Sequence, residues 1–549
     1  MKKRLAEGMT LMVLLLVLWN MAAHTDRMAE AQIKHFTAFF PTEGNSLEYG
    51  NIMKAKIAEV TGAECEELWL SGQTKEQALN SYIASGRYPD FIQGEKNLYE
   101  AEALIPIDEY WEEYPNIRQY MTNEQWDMLR QEDGHIYWIP QFGVTNGKSS
   151  DVIHDGEAFW IQTRVLKWAG YPEVHTVEQY FDLLEAYVNA NPMMENGTRN
   201  IPFTVLSDDW RYFCLENAPQ FLDGYPNDGS CIVDPETLTV IDYNTTDTTT
   251  ETARAYFEKL NEEYRKGILD AEAFTNSYEE YLNKLSTGAV LGMVDQWWQF
   301  YYAIYPAYDR QKLSEQGCDY VPLPITMQEG VENQWHVERA ASIDTSSGLS
   351  VTVSCEDIDG ALQFVNDLLK PEVEILRFWG QEGTDYCVDE EGVFYLTKEQ
   401  SKRFSDDLLA SDYFCYYSYF PRWEGMLPDG KNAFSLEYQP AEFLKSQPGD
   451  VQKCLRAYGC ESYVDMIGNH KAPGNWYPMY SYATSLSDAT EAGMVYEQIN
   501  EIKHEWLPRV IMAEDFDTAW QEYMDAYNAC SPQILMEDLQ QEVMRRICR

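Results

Sequence analysis

The chain has 549 residues, of which 45% are hydrophobic and 24% are charged. This composition excludes a disordered chain, and the length exceeds what one hydrophobic core supports, so we expect at least two lobes. Ninety acidic and 41 basic residues give a net charge of -49. A surface of this sign argues against nucleic acid and anionic lipid as partners. It also argues against a polyanionic ligand, unless a local basic pocket overrules the global field.

The first 31 residues have the form of a secretory signal peptide. Residues 2–4 are basic, residues 11–19 are almost purely apolar, and residues 29–31 offer a cleavage site of the A-x-A type. The apolar run is short for a bilayer span. No cysteine precedes Cys65, so the leader offers no thiol for lipid attachment. The alternative is an uncleaved N-terminal anchor. Either way, we expect the protein outside the cell, held at the outer face of the membrane.

The eleven cysteines point to no metal site. Their number is odd, so at least one stays unpaired or pairs between chains. Two local disulfides are compatible with export, Cys214–Cys231 and Cys454–Cys460, but small buried apolar residues explain most cysteines equally well. No CxxC motif and no His/Cys cluster occurs, which argues against structural zinc. We expect no cofactor and no bound metal.

Strand and helix patterns alternate from residue 33 onward. Apolar runs predict strands over 33–40, around 66–70 and at the end of 87–92, with helices over about 48–60 and 73–85. A capping box from Thr176 to Gln179 predicts a helix start. Further strands are predicted over 290–294 and, half-exposed, over 349–353, followed by a helix that ends at Pro371. One face of a late helix carries residues 520, 523, 524 and 527. This order predicts an α/β fold with a mainly parallel sheet.

Short segments spread over residues 33–545 carry a family resemblance. They are YPDFI at 88–92 with LIPIDEY at 104–110, DGHIYWIP at 133–140, FWIQ at 159–162 with LKWAG at 166–170, GAVLGM at 288–293 with WW at 297–298, WGQEGTDY at 379–386, and the segments 480–485 and 507–523. In this order they resemble the extracellular solute-binding proteins (family 1) of ABC importers, specifically the large oligosaccharide-binding branch common in Gram-positive bacteria.

The resemblance implies a two-lobed, periplasmic-binding-protein-like fold of type II with a central cleft and a hinge. Lobe one would comprise residues 33–145 plus 330–390, and lobe two residues 150–325 plus 400–549. The family captures a ligand in the cleft, and the membrane permease recognises the closed form. For this chain the implied partners are an oligosaccharide or other small ligand and the permease subunits, with the protein itself a monomer.

One loop departs from the family pattern. The family often carries an Asp-rich loop suited to calcium after its first long helix. Here residues 191–200 read NPMMENGTRN, in which methionine and asparagine replace carboxylates and an arginine is inserted. Too few hard anionic oxygens remain for a calcium site, so we expect none in this loop.

Aromatic side chains and polar groups at strand ends are the candidate ligand contacts. Sugars present apolar C–H faces and a rim of hydroxyls, and the chain offers 16 Trp and 38 Tyr. Ligands of open α/β sheets bind at the carboxyl ends of strands. The strongest cluster is Asp295, Trp297 and Trp298. Adjacent tryptophans in a strand point to opposite faces, so we expect at most one of the two to stack on a ligand. The complete set of predicted ligand-binding residues is Phe40, Asn45, Asp90, Trp138, Gln141, Asp295, Trp297, Trp298, Asp385, Tyr386, Trp423 and Trp476.

Two other functions compete with import. A sugar- or peptide-sensing binding protein would share the same cleft, and the missing lipid-attachment cysteine favours it more than usual. A secreted carbohydrate-active hydrolase needs two carboxylates flanking a bond, and 90 acidic residues single out no such pair. No GxSxG, HExxH or Gly-rich phosphate loop occurs, so we predict no catalytic residues and no enzyme activity.

Overall fold

The computed structural model describes residues 33–42, 44, 46–47, 50–145, 148–150, 152–226, 231–242, 250–337, 343–408, 413–468 and 473–548. The strands are β1 Lys34–Phe40, β2 Ala63–Trp69, β3 Phe91–Gly94, β4 Glu157–Gln162, β5 Ile201–Val205, β6 Ile232–Val233, β7 Val240–Ile241, β8 Val290–Gln296, β9 Tyr320–Leu323, β10 Gly348–Val351, β11 Cys387–Val388 and β12 Phe394–Tyr395.

The α-helices are Ile52–Thr61, Lys75–Ser85, Lys96–Glu100, Pro115–Gln119, Asn123–Met128, Thr163–Trp168, Val177–Ala190, Phe213–Glu216, Ala218–Leu222, Thr250–Lys266, Tyr278–Ser286, Trp297–Gln311, Ile358–Leu368, Pro371–Phe378, Lys398–Leu408, Pro440–Ser446, Gly449–Ala457, Tyr463–Ile467, Tyr480–Ala483, Glu491–Met512, Phe516–Ala529 and Gln533–Ile547. Short 3-10 helices are Ile107–Glu109, Trp111–Glu113, Asp209–Tyr212, Ser314–Gln316 and Leu436–Tyr438. None of the helices in the described part of the chain is both long enough and apolar enough to cross a membrane. The predicted leader, residues 1–31, lies outside that part.

The first sheet has the strand order β10-β3-β1-β2. β1 runs parallel to both β2 and β3, and Phe40 is paired with Trp69, so the carboxyl ends of these strands share one edge. The predicted strands at 33–40, 66–70 and 87–92 are confirmed. The first helix begins at Ile52 and not near residue 48, because Asn51 caps it: the Asn51 side chain accepts a hydrogen bond from the Lys54 amide at 2.9 Å.

The prediction that β10 is half-exposed is wrong. Every residue of β10 is buried, including Ser350, and Thr352 just beyond it is buried as well. The Ser350 hydroxyl donates to the Tyr137 carbonyl at 2.7 Å, and the Thr352 hydroxyl donates to the Pro89 carbonyl at 2.6 Å. Backbone carbonyls thus accept hydrogen bonds from the polar side chains of this strand. The alternation of apolar and polar residues over 349–353 therefore does not mean that the polar side chains contact water.

The second sheet has the strand order β5-β8-β4-β9. β5 and β8 are parallel, whereas β4 is antiparallel to both β8 and β9. The expectation of mainly parallel pairing therefore holds in the first sheet and fails in the second. β4 follows the long stretch of chain that leaves the first sheet, and not a strand-helix unit, so no crossover forces it to be parallel.

Helix boundaries follow local capping chemistry. Thr176 accepts from the Gln179 amide in a capping box, as predicted, and the helix Val177–Ala190 follows. Pro371 was predicted to end a helix, and it also begins the next one, Pro371–Phe378. At the first position of a helix the missing amide hydrogen of proline has no cost, because that amide would have no partner within the helix. The predicted face of Phe516–Ala529 is buried as a whole, with Trp520, Tyr523, Met524 and Tyr527.

Each large sheet has a hydrophobic core of its own, and the predicted two-lobed α/β fold is confirmed. The first core also contains residues from the 414–420 stretch, namely Phe414, Cys415, Tyr417 and Phe420. The sequence placed this stretch in lobe two, and its packing favours lobe one. We propose lobe bounds revised in this way. Trp335, which the sequence placed in lobe one, lies in the second core and stacks on Phe221 with centroids 4.0 Å apart, so we propose that the segment around it belongs to lobe two.

Segments that are far apart in sequence are hydrogen-bonded to one another. Ile139 and Leu349, both in the first core, exchange two backbone hydrogen bonds of 2.9 Å, and the Glu424 amide donates to the Val144 carbonyl at 2.8 Å. Farther along, Nδ1 of His154 lies 3.2 Å from Nδ1 of His336.

Candidate ligand-binding cleft

Two tryptophans stand side by side at the carboxyl edge of the second sheet. β5 and β8 are parallel, so their carboxyl ends meet there. Trp210 lies in the 3-10 helix Asp209–Tyr212 after β5, and Trp298 lies in the first turn of the helix after β8. Their rings are parallel within 8°, with centroids 6.1 Å apart. Trp210 is 50% and Trp298 40% exposed. We call this pair the tryptophan shelf.

Buried polar groups fix the orientation of the shelf. The indole nitrogen of Trp298 donates to Oε1 of Gln296, and the Gln296 amide donates to Oδ1 of Asp295 at 2.7 Å. Asp295 is fully buried and also accepts from the Tyr281 hydroxyl at 2.5 Å and from Nε2 of Gln299 at 2.7 Å. Asp295 therefore supports the shelf from beneath and does not reach a ligand.

A second buried carboxyl group lies near Asp295. Burial raises the pKa of Asp295 to about 6, although hydrogen bonds from Tyr281, Gln296, Cys214 and Gln299 act against that rise. Burial, with the charges of Asp295 and Glu216, raises the pKa of Glu157 well above its ordinary value. Within the described residues neither oxygen of Glu157 has a hydrogen-bond partner. Burial thus favours the protonated form of the Glu157 carboxyl in the folded protein, which reduces repulsion between two buried carboxyl groups behind the shelf.

The shelf continues along the exposed face of the helix Trp297–Gln311. Tyr302 is 50% exposed, and its hydroxyl donates to Oε2 of Glu437 at 2.5 Å. Glu437 lies in the 3-10 helix Leu436–Tyr438, and the neighbouring Tyr438 donates to Oδ2 of Asp155 at 3.1 Å. An aromatic ring and carboxylates therefore border the shelf, the combination that sugar faces and hydroxyls require.

The first lobe presents a matching set of rings. Trp69 ends β2, and Tyr419 and Phe142 lie in the segments that leave the lobe. All three are partly exposed. The Trp69 and Tyr419 centroids are 5.4 Å apart, those of Phe142 and Tyr419 are 5.7 Å apart, and the buried Phe40 packs beneath at 5.2 Å from Tyr419. We call Trp69, Phe142 and Tyr419 the first-lobe rings.

The turn after β1 is pressed against one of these rings. A Cβ atom at Gly44 would lie 2.2 Å from the Trp69 ring, so only glycine allows this approach. The Trp69 indole nitrogen is buried and has no hydrogen-bond partner within the described part of the chain.

An electrostatic interaction links the surroundings of the shelf with the first-lobe rings. Burial raises the pKa of Tyr419, while its hydrogen bond to Thr42 and the positive charges of Arg422 and Arg211 act in the opposite direction. Arg211 adjoins Trp210 of the shelf, so a charge on the second lobe acts on a ring of the first.

Comparison with known proteins agrees with this architecture. A solved structure of the Streptococcus pneumoniae ABC-transporter substrate-binding protein FusA in complex with kestose covers 93% of this chain and 99% of its own, with a TM-score of 0.64 and 17% identity. The chain has the fold of extracellular solute-binding proteins. An HMO-binding, ABC-transporter-associated solute-binding protein from Bifidobacterium longum infantis matches this fold with a TM-score of 0.62 and 14% identity, and the match covers 93% of this chain and 98% of that one.

Sequence comparison is weaker than the match of folds. The fructooligosaccharide ABC transporter substrate-binding protein FusA of Streptococcus pneumoniae serotype 4 is 24% identical over 355 residues, which is 60% of this chain and 60% of that protein. The aligned part thus spans less than two thirds of this relative's length. No family model matches the chain. The predicted resemblance to solute-binding proteins is nonetheless confirmed, because fold and sequence point to the same class.

Within this solute-binding fold, several predicted aromatic contacts are core residues. Phe40 supports the first-lobe rings, and the Trp138 indole donates to the Thr345 carbonyl at 3.1 Å inside the first core. Trp476 lies in the second core, and Tyr386 packs on Trp379 with centroids 5.6 Å apart. Each is buried, so none presents a face to the cleft. Trp423 donates its indole hydrogen to the Leu369 carbonyl at 3.2 Å and packs on Tyr120, which gives it a structural role too.

Trp297 and Trp298 point in different directions because they lie in a helix and not, as predicted, in a strand. The strand ends at Gln296, and both residues open a helix, in which neighbouring side chains diverge by about 100°. Trp297 is only 6% exposed and stacks on Tyr301 with centroids 4.2 Å apart. Trp298 alone of this pair faces the cleft. The expectation that at most one of the two would stack on a ligand stays a prediction. The strand geometry from which it was argued is wrong, because both residues lie in a helix.

The remaining predicted polar contacts serve the fold. The Asp90 carboxylate accepts from the Thr37 amide at 2.8 Å and from its hydroxyl at 2.9 Å. Asp385 accepts from the Tyr413 hydroxyl at 2.6 Å and forms an ion pair with Arg403. Gln141 donates to the Tyr419 carbonyl and so positions a first-lobe ring. Asn45 lies outside the described residues.

The loop 191–200, which departs from the calcium pattern, is held by Arg164 from outside the loop. Nδ2 of Asn200 donates to the Asn191 carbonyl at 2.7 Å, and Oδ1 of Asn200 accepts from Arg164 at 3.0 Å. Among the described residues, no group of three or more His, Cys, Asp or Glu is arranged to hold a metal ion. The expectation of a metal-free loop stays a prediction.

The two local cysteine pairs are not disulfides in this structure. Cys454 and Cys460 are both free thiols. Cys214 is also a free thiol, and its sulfur lies 3.4 Å from Oδ1 of Asp295, where it joins the polar support of the shelf. The sequence had left these pairings open.

Proposed function

We propose that this chain is the extracellular solute-binding component of an ABC importer, which captures an oligosaccharide between its lobes and delivers it to a membrane permease. The observation that carries the proposal is the tryptophan shelf, two half-exposed parallel rings at the carboxyl edge of a sheet, opposite the first-lobe rings. Apolar rings of this size are normally buried, and their exposure in a cleft favours a ligand that covers them.

The relatives support the same class of ligand and the same location. FusA is named as a fructooligosaccharide-binding protein, and a structure of it holds kestose. A sugar ring that covers roughly 80 Å² of apolar indole surface contributes about 2 kcal/mol of binding free energy. The proposed place of action is outside the cell, at the outer face of the membrane, where the predicted leader directs the chain.

Capture requires closure and no chemistry on the ligand. A ligand that contacts the shelf and the first-lobe rings together stabilises the closed arrangement relative to the open one, and this differential affinity drives closure. The energy for transport comes from a partner ATPase of the importer. The two carboxyl groups that lie behind the shelf, Asp295 and Glu157, are buried, where they cannot flank a glycosidic bond.

A thermal-shift screen against neutral and acidic oligosaccharides, followed by titration calorimetry, tests the proposal. A ligand that binds only the folded state raises the melting temperature. We expect at least one oligosaccharide to bind with micromolar or tighter affinity and the permease subunits to bind the liganded form preferentially. No stabilisation by any oligosaccharide, or the release of new reducing ends on incubation, would overturn it. A sensing role predicts ligand binding without any permease contact.

A further inference from the structure

The guanidinium group of Arg211 lies between two aromatic rings beside the tryptophan shelf. Its central carbon is 4.7 Å from the ring centroid of Trp210 and 3.9 Å from that of Tyr278. Nε of Arg211 is buried and has no hydrogen-bond partner among the described residues. Over the same residues, Arg211 forms no ion pair with any carboxylate. This occurs in a chain in which acidic residues outnumber basic ones by 90 to 41.

Other enclosed arginines of this protein have their donors satisfied. Arg377 is fully buried and donates to the backbone carbonyls of Tyr416, Tyr417 and Pro421 at 2.9–3.1 Å. Two acids closely precede Arg211 in sequence. Asp209 is exposed and forms no ion pair with Arg211 among the described residues, and Oδ2 of Asp208 accepts from the Tyr278 amide at 2.8 Å. Ring faces attract a cation but offer no acceptors for the five N–H groups of a guanidinium. The rings therefore hold the Arg211 guanidinium group in place, while its N–H donors have no acceptor among the described residues.

The position of Arg211 connects it with the cleft. It follows Trp210 directly, and its positive charge is one of those that act on Tyr419 of the first-lobe rings. A sugar ring lying on the shelf would have its rim beside the guanidinium. The planar fork of an arginine matches the two oxygens of a carboxylate better than it matches any single hydroxyl.

We infer that the captured oligosaccharide is acidic, and that Arg211 binds the carboxylate of a uronic acid residue whose ring lies on the tryptophan shelf. This inference rests on the proposed function and narrows its ligand class. A hexuronate carries its carboxylate directly on a ring carbon, so one residue can stack and form the ion pair together. The net charge of -49 does not prevent such binding, because long-range repulsion is screened beyond about 8 Å at physiological salt, whereas a partly buried pair is screened much less.

Calorimetry with matched ligands tests the inference on the wild-type protein. The probes are trisaccharides of galacturonate, glucuronate, mannuronate and guluronate, their methyl esters, the neutral hexose trisaccharides and a sulfated trisaccharide. We expect one uronate to bind at least tenfold more tightly than its methyl ester, which removes the charge and keeps the ring and linkage. The sulfated trisaccharide should bind more weakly than that uronate, and tighter binding of the sulfate would overturn the carboxylate assignment.

Three variants separate binding by Arg211 from a structural role. In R211Q the affinity for the uronate should fall at least tenfold while that for the methyl ester changes less than twofold. R211K keeps the positive charge and loses the planar fork, so its affinity for the uronate should lie between those of the wild type and R211Q. The matched control is R509Q, because Arg509 also stacks on a tryptophan, Trp506 at 5.2 Å, but is paired with Glu505. R509Q should bind as the wild type does.

The outcomes distinguish this inference from the proposed function. Equal affinity of the wild type for uronate, ester and neutral sugar would overturn the acidic ligand and leave oligosaccharide capture standing. Equal loss of uronate and ester affinity in R211Q would assign Arg211 to support of the shelf and overturn its role in binding. Absence of binding by every oligosaccharide would remove both. The comparison of uronate with ester needs no variant, so it remains decisive even if R211Q fails to fold.

Discussion

Trp210 and Trp298 lie parallel with 6.1 Å between their ring centroids, although they follow different strands of the second sheet. Because β5 and β8 are parallel neighbours, the residues that follow their carboxyl ends are brought together whatever their separation in sequence. Rings placed in this way keep much of their surface in water. The pair therefore carries the functional proposal, and substitutions there are its most informative tests.

Replacing Trp298 with alanine should weaken oligosaccharide binding by about 2 kcal/mol, or roughly thirtyfold in Kd, because the ligand loses one apolar platform. W210A should have an effect of similar size. The double variant should lose less binding free energy than the sum of the losses in the two single variants, because both rings contact the same ligand. Calorimetry on the purified variants measures each value.

The matched control for the shelf is W168A. Trp168 is 47% exposed but lies in the helix Thr163–Trp168, where it packs edge-on against Tyr187. Its removal should leave Kd unchanged within twofold. An equal loss of affinity in W168A and W298A would mean that the effect is not specific to the shelf.

Trp297 should behave in the opposite way to Trp298. Its ring is buried against Tyr301, so W297A opens a cavity and should lower the free energy of unfolding by about 3–5 kcal/mol. The affinity of the protein that remains folded should change little. Urea unfolding together with calorimetry separates the two effects, and a large loss of affinity at wild-type stability would place Trp297 in the site.

Glu157 should make stability fall as pH rises. Its ordinary pKa is 4.5, and burial raises the pKa well above this value in the folded protein. Above pH 4.5 the folded state keeps a proton that the unfolded state has lost, so each pH unit, up to the raised pKa, removes about 1.4 kcal/mol of the free energy of unfolding. Below pH 4.5 this contribution is fully present.

The variant E157Q should lack that dependence, because a neutral amide replaces the titrating group. Relative to the wild type it should gain stability as the pH rises from 4.5 toward the raised pKa of Glu157, by at most about 1.4 kcal/mol per pH unit. Urea unfolding at pH 5, 6 and 7 provides the comparison, with the exposed Glu59 changed to glutamine as a control. Parallel pH profiles for wild type and E157Q would show that the Glu157 carboxyl is not protonated in the folded state.

Ligand binding should also compact the protein. If the shelf and the first-lobe rings contact one ligand, saturation with an oligosaccharide found by the screen should lower the radius of gyration measured by small-angle X-ray scattering. W298A, at a ligand concentration that saturates only the wild type, should stay extended. An unchanged radius for the saturated wild type would argue against closure around the ligand.

Local patterns in the sequence were enough to predict much of the fold. The apolar run ending at Phe40 and the capping box at Thr176 are effects of neighbouring residues, and both elements form as expected. β10 could not be predicted correctly, because the burial of Ser350 depends on a carbonyl of Tyr137, far away in sequence. The antiparallel β4 likewise depends on how the chain enters the second lobe.

The cleft was predicted less completely than the fold. Trp298 was found because a recognisable strand precedes it, whereas Trp210 was missed because β5, an apolar run ending at Val205, was not identified as a strand. Trp69 lies near the end of the strand predicted around 66–70 and could have been chosen by the same rule. Five of the seven predicted aromatics are buried, and burial depends on distant packing that one sequence does not contain; they are Phe40, Trp138, Trp297, Tyr386 and Trp476.

A crystal structure of the protein with the tightest-binding oligosaccharide tests the central claim most directly. We predict a sugar ring stacked on Trp298 or Trp210, enclosed between the shelf and the first-lobe rings, with contacts to both lobes. A sugar bound elsewhere on the surface, or a ligand that leaves both shelf rings in water, would contradict capture between the lobes.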